Sequence, residues 1–332
     1  MVTVSTGLDS TSGPELLPSP DGQNARLMRA IRVAEAVSRM VGDQLAVVPM
    51  PAIDALDTTP GVYVVYPERY DNDIVGAQFT FNRNNLSGAA DSAHAAIPGD
   101  LTLERRGGFS AIAEVVAKCF TKRTVSDRLS RIKSELHTME AMREAGFLTI
   151  DPLAVIMARV DGETQLVLLT EYNPTLTTMD NLPWGRGVTD EVTVANAVLG
   201  ASALGAFNAL GHVHGDAKVK NVAQDETGRV GMIDYETSHP FKLDDQMGVR
   251  TAVLEDFSKY LDSLIKKGFF GVKGQKVPAV FIRETLDAMV VAYIEHWADQ
   301  PQEIRDLVWE QTDAAIDVTL PGILEQRGHY TL

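Results

Sequence analysis

His214-Gly215-Asp216-Ala217-Lys218-Val219-Lys220-Asn221, followed after a turn by Gly231-Met232-Ile233-Asp234, decides how this chain is read. Local geometry alone brings two carboxylates, a lysine and an amide together here. The chain enters a loop at His214, and a strand is expected at Val222-Ala223-Gln224. It turns at Asp225-Glu226-Thr227-Gly228 and returns through Arg229-Val230-Gly231-Met232-Ile233 as the second arm of a hairpin. The two acids therefore fall on either side of one hairpin. A loop carboxylate at Asp216 can accept or orient the proton of an attacking hydroxyl. Asp234, at a strand end, and the amide oxygen of Asn221 are hard oxygen ligands suited to magnesium. Lys218 belongs beside a transferring phosphoryl group, whose charge-bearing equatorial oxygens are stabilised by cations.

Composition narrows the setting. A length of 332 residues accommodates more than one core, and 45% hydrophobic with 23% charged residues fits a globular protein. The formal net charge of −15 opposes nonspecific binding to nucleic acid or anionic membranes, so neither is expected as a partner. A single cysteine, Cys119, rules out an intrachain disulfide and permits a reducing compartment; its apolar neighbours in sequence make it a packed thiol. The stretch Met1-Val2-Thr3-Val4-Ser5-Thr6 has no basic region leading into an apolar run. No window reads as the roughly 18 apolar residues of a membrane span. A cytoplasmic location is the expectation.

Along the chain, residues 1–22 read as a flexible leader, and 24–41 as an amphipathic helix with Leu27, Met28, Ile31, Ala34, Val37 and Met40 on one side. Strands are expected at 61–66, 77–81, 100–105 and 111–120, with a long loop over 82–99. A helix covers 125–145, its apolar face made by Leu129, Ile132, Leu136, Met139 and Met142. Strands at 153–160 and 165–169 flank the turn Asp161-Gly162-Glu163. From there the pattern is helical, with segments expected at 191–210, 253–267, 278–297 and 301–316. An antiparallel sheet in the first half and helices in the second imply two lobes joined near Glu171 to Pro174, with a ligand cleft between them.

With these parts in view, the sequence resembles the protein-kinase-like superfamily, which includes protein kinases and aminoglycoside or choline kinases. The pattern His-x-Asp-x-x-x-x-Asn is present from His214 to Asn221. The resemblance makes Asp216 the catalytic-loop aspartate, Asn221 a metal-binding asparagine, and Asp234 the first residue of the metal-binding motif, which reads Asp234-Tyr235-Glu236 here. Upstream, Val116-Ala117-Lys118 resembles the strand whose lysine binds nucleotide phosphates, with Glu135 as its helix-borne partner. Thr170-Glu171-Tyr172 corresponds to the hinge that meets adenine, and Asp256 to a helix aspartate that braces the catalytic loop. There is no Gly-x-Gly-x-x-Gly, and Gly107-Gly108-Phe109-Ser110 is the substitute for a loop over the phosphates.

The resemblance implies an α+β, bilobal protein-kinase-like fold with an antiparallel-sheet N-lobe, a mainly helical C-lobe and an N-terminal extension. Its expected parts are the leader over 1–22 and an extension over 23–99, open to being part of the N-lobe. The N-lobe proper spans 100–172 and the C-lobe 173–332. It implies an ATP- and Mg2+-dependent phosphotransferase. Lys218 matches the lysine typical of Ser/Thr protein kinases and points to a protein Ser/Thr acceptor. The short interval after Asp234 and the acidic surface point instead to a small, cationic hydroxyl compound. Two further readings stand beside these: a pseudokinase binding module, and a metallo-hydrolase built on His212, His214 and Asp216, whose His-x-His-x-Asp spacing matches such ligand sets.

Overall fold

In the computed structural model the described residues are 45–49, 61–66, 74–81, 94–105, 110–120, 125–160, 162–182, 191–269 and 279–327, with positions 32 and 56. The leader, the helix expected over 24–41 apart from a helical Arg32, residues 106–109 and the Cys119 side chain lie outside them.

The first half forms a seven-stranded sheet. Its strands are β1 (Leu45–Pro49), β2 (Gly61–Tyr66), β3 (Ile74–Phe81), β4 (His94–Arg105), β5 (Ser110–Phe120), β6 (Pro152–Val160) and β7 (Glu163–Glu171). They lie in the order β1-β2-β6-β7-β5-β4-β3, antiparallel throughout except for the β1/β2 pair. Central β7 is buried over six consecutive residues, Gln165 to Thr170, as a strand covered on both faces must be. Helix α1 (Val125–Glu144) packs on this sheet through Leu129, Ile132, Leu136, Met139 and Met142, the face its 3.6-residue periodicity defines.

The sheet departs from expectation in two places. β1 carries no strong alternation and was not anticipated. β4 begins at His94, so the loop expected over 82–99 is strand from residue 94 onward. The polar, small-residue composition of 82–99 hides this strand, and Pro98 within it sits where its missing N–H does no harm. β3 ends opposite Gly99, so residues 94–98 have no β3 partner.

The second half is mainly helical: α2 (Glu191–Ala209), α3 (Gln246–Lys266), α4 (Ala279–Ile294) and α5 (Gln302–Arg327). α3 starts seven residues before the expected 253, because Asp245 caps it by accepting the Met247 N–H at 3.0 Å. α5 continues past Ile316 to Arg327 with Pro321 inside it; a proline removes one intrahelical hydrogen bond without ending this helix. α2 is long and apolar enough to cross a membrane, contrary to the sequence reading. Its residues pack against α3, α4 and the short strand Val230–Met232, which makes it a core helix. Glycine permits that packing: a Cβ on Gly205 would lie 2.3 Å from the carbonyl oxygen of Tyr293 in α4. Between the sheet and the helices lie β8 (Thr177–Thr178), β9 (His212–Val213), β10 (Val222–Gln224), β11 (Val230–Met232) and β12 (His239–Pro240), which pair as β11-β10-β8 and β12-β9.

Candidate active site

The hairpin expected from the opening stretch is present, with Val222 opposite Met232 and Gln224 opposite Val230. Its turn is organised by Asp225. This carboxylate accepts hydrogen bonds from the Thr227 hydroxyl (2.7 Å), the Thr227 and Arg229 amides (2.9 and 3.0 Å) and Arg229 Nε (2.8 Å). These donors, the Thr227 hydroxyl first, hold the Asp225 carboxyl down at about 2. Past the strands, the Ile233 amide donates to the Asn221 carbonyl at 2.8 Å. That bond sets Asp234 beside the end of the loop containing Asp216.

The loop is braced from beneath. Asp256 on α3 is fully buried; its Oδ2 accepts from the His214 amide (2.7 Å) and Asn208 Nδ2 (2.9 Å), and its Oδ1 from the Gly215 amide (2.8 Å). Burial raises this carboxyl above its ordinary value, and the three donors oppose that rise. Asn208 is itself fixed, accepting from the Tyr293 hydroxyl at 2.6 Å and donating to the His212 carbonyl at 2.7 Å. Gly215 turns the loop with φ of +76°, its Cα facing the Thr237 carbonyl too closely for any Cβ.

Asp216 is half-buried. Its Oδ1 meets Lys218 Nζ at 2.5 Å, and Asn221 Nδ2 donates to its carbonyl (2.9 Å) and to its Oδ2 (3.3 Å). The Asn221 amide nitrogen is thereby spent on Asp216, and its oxygen carries no hydrogen bond among the described residues. This is the orientation a cation-binding amide needs.

Across the hairpin lies a second cluster. Lys118, 8% exposed on β5, places Nζ 2.9 and 3.1 Å from the two oxygens of Glu135 on α1, 2.6 Å from Asp234 Oδ1 and 3.9 Å from Glu236 Oε2. Burial weakens the hold of Lys118 on its proton. The carboxylates of Glu135, Asp234 and Glu236 more than reverse this, so it stays charged well above the ordinary lysine range. Asp234 has φ 64° and ψ 63°, the one non-glycine residue among those described with positive φ, which bends the chain sharply after β11. Glu236 is in turn paired with Arg131 at 2.6 Å.

The structure thus brings Lys118, Glu135 and Asp234 into direct contact, and Asp216, Lys218 and Asn221 into another contact group on the same hairpin. Glu171 and Tyr172 stand apart from both. Glu171 ends β7 three residues past Leu168, the cross-strand partner of Lys118, and Tyr172 is 44% exposed. Of the stretch Gly107-Gly108-Phe109-Ser110, expected over the phosphates, the first three residues lie outside the described residues; Ser110 opens β5, opposite Glu104.

The metal-hydrolase geometry is not formed. His214 donates from Nε2 to the Ile233 carbonyl at 2.9 Å and accepts the Asp216 amide at Nδ1 at 3.3 Å, which occupies both ring nitrogens. Among the described residues no three His, Cys, Asp or Glu side chains are grouped to hold a metal. Sequence reasoning missed Arg131, Asn208, Tyr293 and the clamping role of Glu236. Only Arg131 left a signal, standing one turn before Glu135 on the same helix face.

A buried strand lysine paired to a helix glutamate, opposed to an aspartate, lysine and asparagine on a catalytic loop, defines the protein-kinase-like superfamily of phosphotransferases. The chain resembles that superfamily and is an ATP-dependent kinase. More particularly, residues 115–250 match the lipopolysaccharide kinase (Kdo/WaaP) family, a span that includes every residue of the two clusters. Among solved structures, WaaP in complex with acyl carrier protein is similar at 12% identity and a TM-score of 0.41, over 83% of this chain and 92% of that chain. No curated protein matches the sequence.

Proposed function

We propose that this chain transfers the γ-phosphoryl group of ATP to a hydroxyl of a saccharide-type small molecule, in a cleft between two kinase-like lobes. The observation that carries the reading is the contact of Lys118 with both Glu135 and Asp234, on the hairpin that also bears Asp216, Lys218 and Asn221. Acceptor choice rests on the matching family, whose substrates are lipopolysaccharide sugars; this favours a small-molecule hydroxyl over a protein Ser/Thr side chain.

In this reading Lys118 holds the nucleotide phosphates while Glu135 fixes its rotamer. Asp216 orients the acceptor hydroxyl and takes its proton as the oxygen attacks the γ-phosphorus and the bond to ADP breaks. Lys218 sits between Asp216 and the moving phosphoryl group and balances its charge. Glu171 and Tyr172 supply the adenine end. Magnesium would be held by Asn221 Oδ1 and Asp234, and would supply charge neutralisation for the phosphate oxygens. The donor set fits: the charges of Lys118, Arg131, Glu135, Asp234 and Glu236 sum to −1, so a divalent cation is welcome there.

The test is phosphoryl transfer from labelled ATP, with magnesium, into a panel of saccharides and into a cell extract. Phosphorylated saccharides, lost on Asp216→Ala, are the expected products. Labelled protein in place of labelled saccharide would return the acceptor to a Ser/Thr side chain. Failure to bind ATP at all would sink the proposal.

A further inference from the structure

Against the loop that carries Asp216, at Lys218 to Lys220, lies a cavity of about 270 Å³, close to the lower end of small-ligand sites at roughly 300 Å³. Its wall is cationic: Lys218 and Lys220 come from the catalytic loop, and Lys259, Lys266 and Lys267 from α3 and its end. Two carboxylates, Asp180 and Asp262, also line it. This runs against the chain as a whole, which carries 45 acidic and 30 basic residues. A chain with so few cations to place has set five of them around one hollow, and one of the five, Lys218, reaches Asp216 Oδ1 at 2.5 Å.

The pairing of these lysines shows what they are available for. Lys266 meets Asp262 at 2.6 Å and Lys267 meets Asp180 at 3.4 Å, both as exposed or half-exposed pairs. Pairs of this kind are weak and screened by salt, so a stronger anion displaces them. Lys220 has no ion-pair partner among the described residues. Lys259 is different. It is committed to the Gly215 carbonyl and to Glu255, both at 2.5 Å, and so buttresses the loop. The ammonium groups free to turn inward are therefore Lys220, Lys266 and Lys267.

We propose that this cavity is an anion subsite for the acceptor: Lys220, Lys266 and Lys267 hold a phosphate or carboxylate borne by the molecule whose hydroxyl reaches Asp216. Resting on the phosphotransferase reading above, it gives that reading a substrate class, a hydroxyl compound carrying its own negative charge. It also reverses the cationic acceptor expected from the acidic surface, since an amine here would meet a wall with five lysines against two aspartates.

The experiment uses the full chain, saturated with a non-hydrolysable ATP analogue, and the Lys220→Glu/Lys267→Glu double variant, with Lys266→Glu as a second, independent variant. Two probes carry the anion from different sources. One is glycerol 3-phosphate in solution, with glycerol and choline as neutral and cationic references; the other is phosphatidylglycerol vesicles, with phosphatidylcholine vesicles as reference. Calorimetry and vesicle co-sedimentation read binding, and ATP affinity is measured in parallel. The expected result is that the wild type binds at least one anionic probe over its reference, that each variant weakens this at least tenfold, and that ATP affinity changes less than twofold. Which probe binds tells a soluble from a membrane-borne acceptor. Unchanged probe binding in both variants, no preference for an anionic probe, or tighter binding of choline would each overturn the subsite while ATP binding persists. Loss of ATP binding in the wild type itself would instead remove the underlying reading.

Discussion

Arg131 and Glu236 form an ion pair at 2.6 Å that ties the helix bearing Glu135 to the chain just beyond Asp234. Arg131 stands one turn before Glu135, and Glu236 two residues after Asp234. The pair therefore couples the two carboxylates that contact Lys118. A second tie runs parallel, from the Ser134 hydroxyl to the Ser238 carbonyl at 2.5 Å. α1 is held to this loop at two points, which fixes its rotation about its own axis.

Breaking that tie should cost turnover more than binding. Glu236→Gln and Arg131→Ala are expected to lower kcat about tenfold, equivalent to about 1.4 kcal/mol of transition-state stabilisation, with a smaller change in KM for ATP. The charge-swapped Arg131→Glu/Glu236→Arg variant should recover part of the loss. Equal losses in the swapped and single variants, in steady-state kinetics, would assign Glu236 some role other than holding α1.

Lys118 is bound to Glu135 in a dry environment, so removing one partner strands the other. Lys118→Met should destabilise the chain by about 3–5 kcal/mol, the usual consequence of an uncompensated buried charge. Adding Glu135→Leu should restore most of that stability, because an apolar pair replaces an ionic one. Neither variant should transfer phosphate. Urea unfolding midpoints and labelled-ATP transfer separate the two effects.

Asp256 satisfies two backbone amides and the Asn208 side chain at once. Asp256→Ala should cost several kcal/mol, since each buried donor left unsatisfied costs about 1–3 kcal/mol. Asp256→Asn keeps the volume and loses acceptors; its expected signature is a fall in kcat at nearly unchanged ATP affinity, from a loosened loop. An ATP affinity that collapses in parallel would show that the brace also shapes the nucleotide site.

His212 is held below the ordinary imidazole range, first by burial and then by His239. Its ring Nδ1 is buried without a hydrogen-bond partner among the described residues. The unfolded chain takes up a proton near pH 6.5, and the folded one only at lower pH. The stability linked to this group is therefore present above about pH 6.5 and lost as pH falls below it. His212→Gln should flatten the decline in Tm between pH 7 and pH 5.5. Zinc should leave the Tm of the wild type unmoved; a zinc-dependent rise abolished by His212→Gln would revive a metal site.

The hairpin and its two acids were legible because the turn residues and strand alternation are local, and the residues of the lysine strand and its helix partner fall in recognisable order. The helix over Val125–Glu144 was legible for the same reason: one apolar stripe with one period. What escaped depended on contacts distant in sequence. Pro98 and Gly99 read as loop, yet are strand because Val115 and Val116 of β5 lie alongside. Arg131 and Glu236 are 105 positions apart, and no local pattern announces their meeting. The lysines of the cavity are ordinary surface residues in sequence; only the approach of α3 to the catalytic loop gathers them.

The left-handed backbone at Asp234 sets a rule for descendants of this chain. Few side chains accept that conformation; glycine, asparagine and aspartate do so at least cost. A lineage that abandoned phosphoryl transfer but kept its shape should therefore drift at this site to asparagine or glycine. Working relatives should retain the acid. The letter at this one position then records, for any relative, whether chemistry or only architecture has been kept under selection.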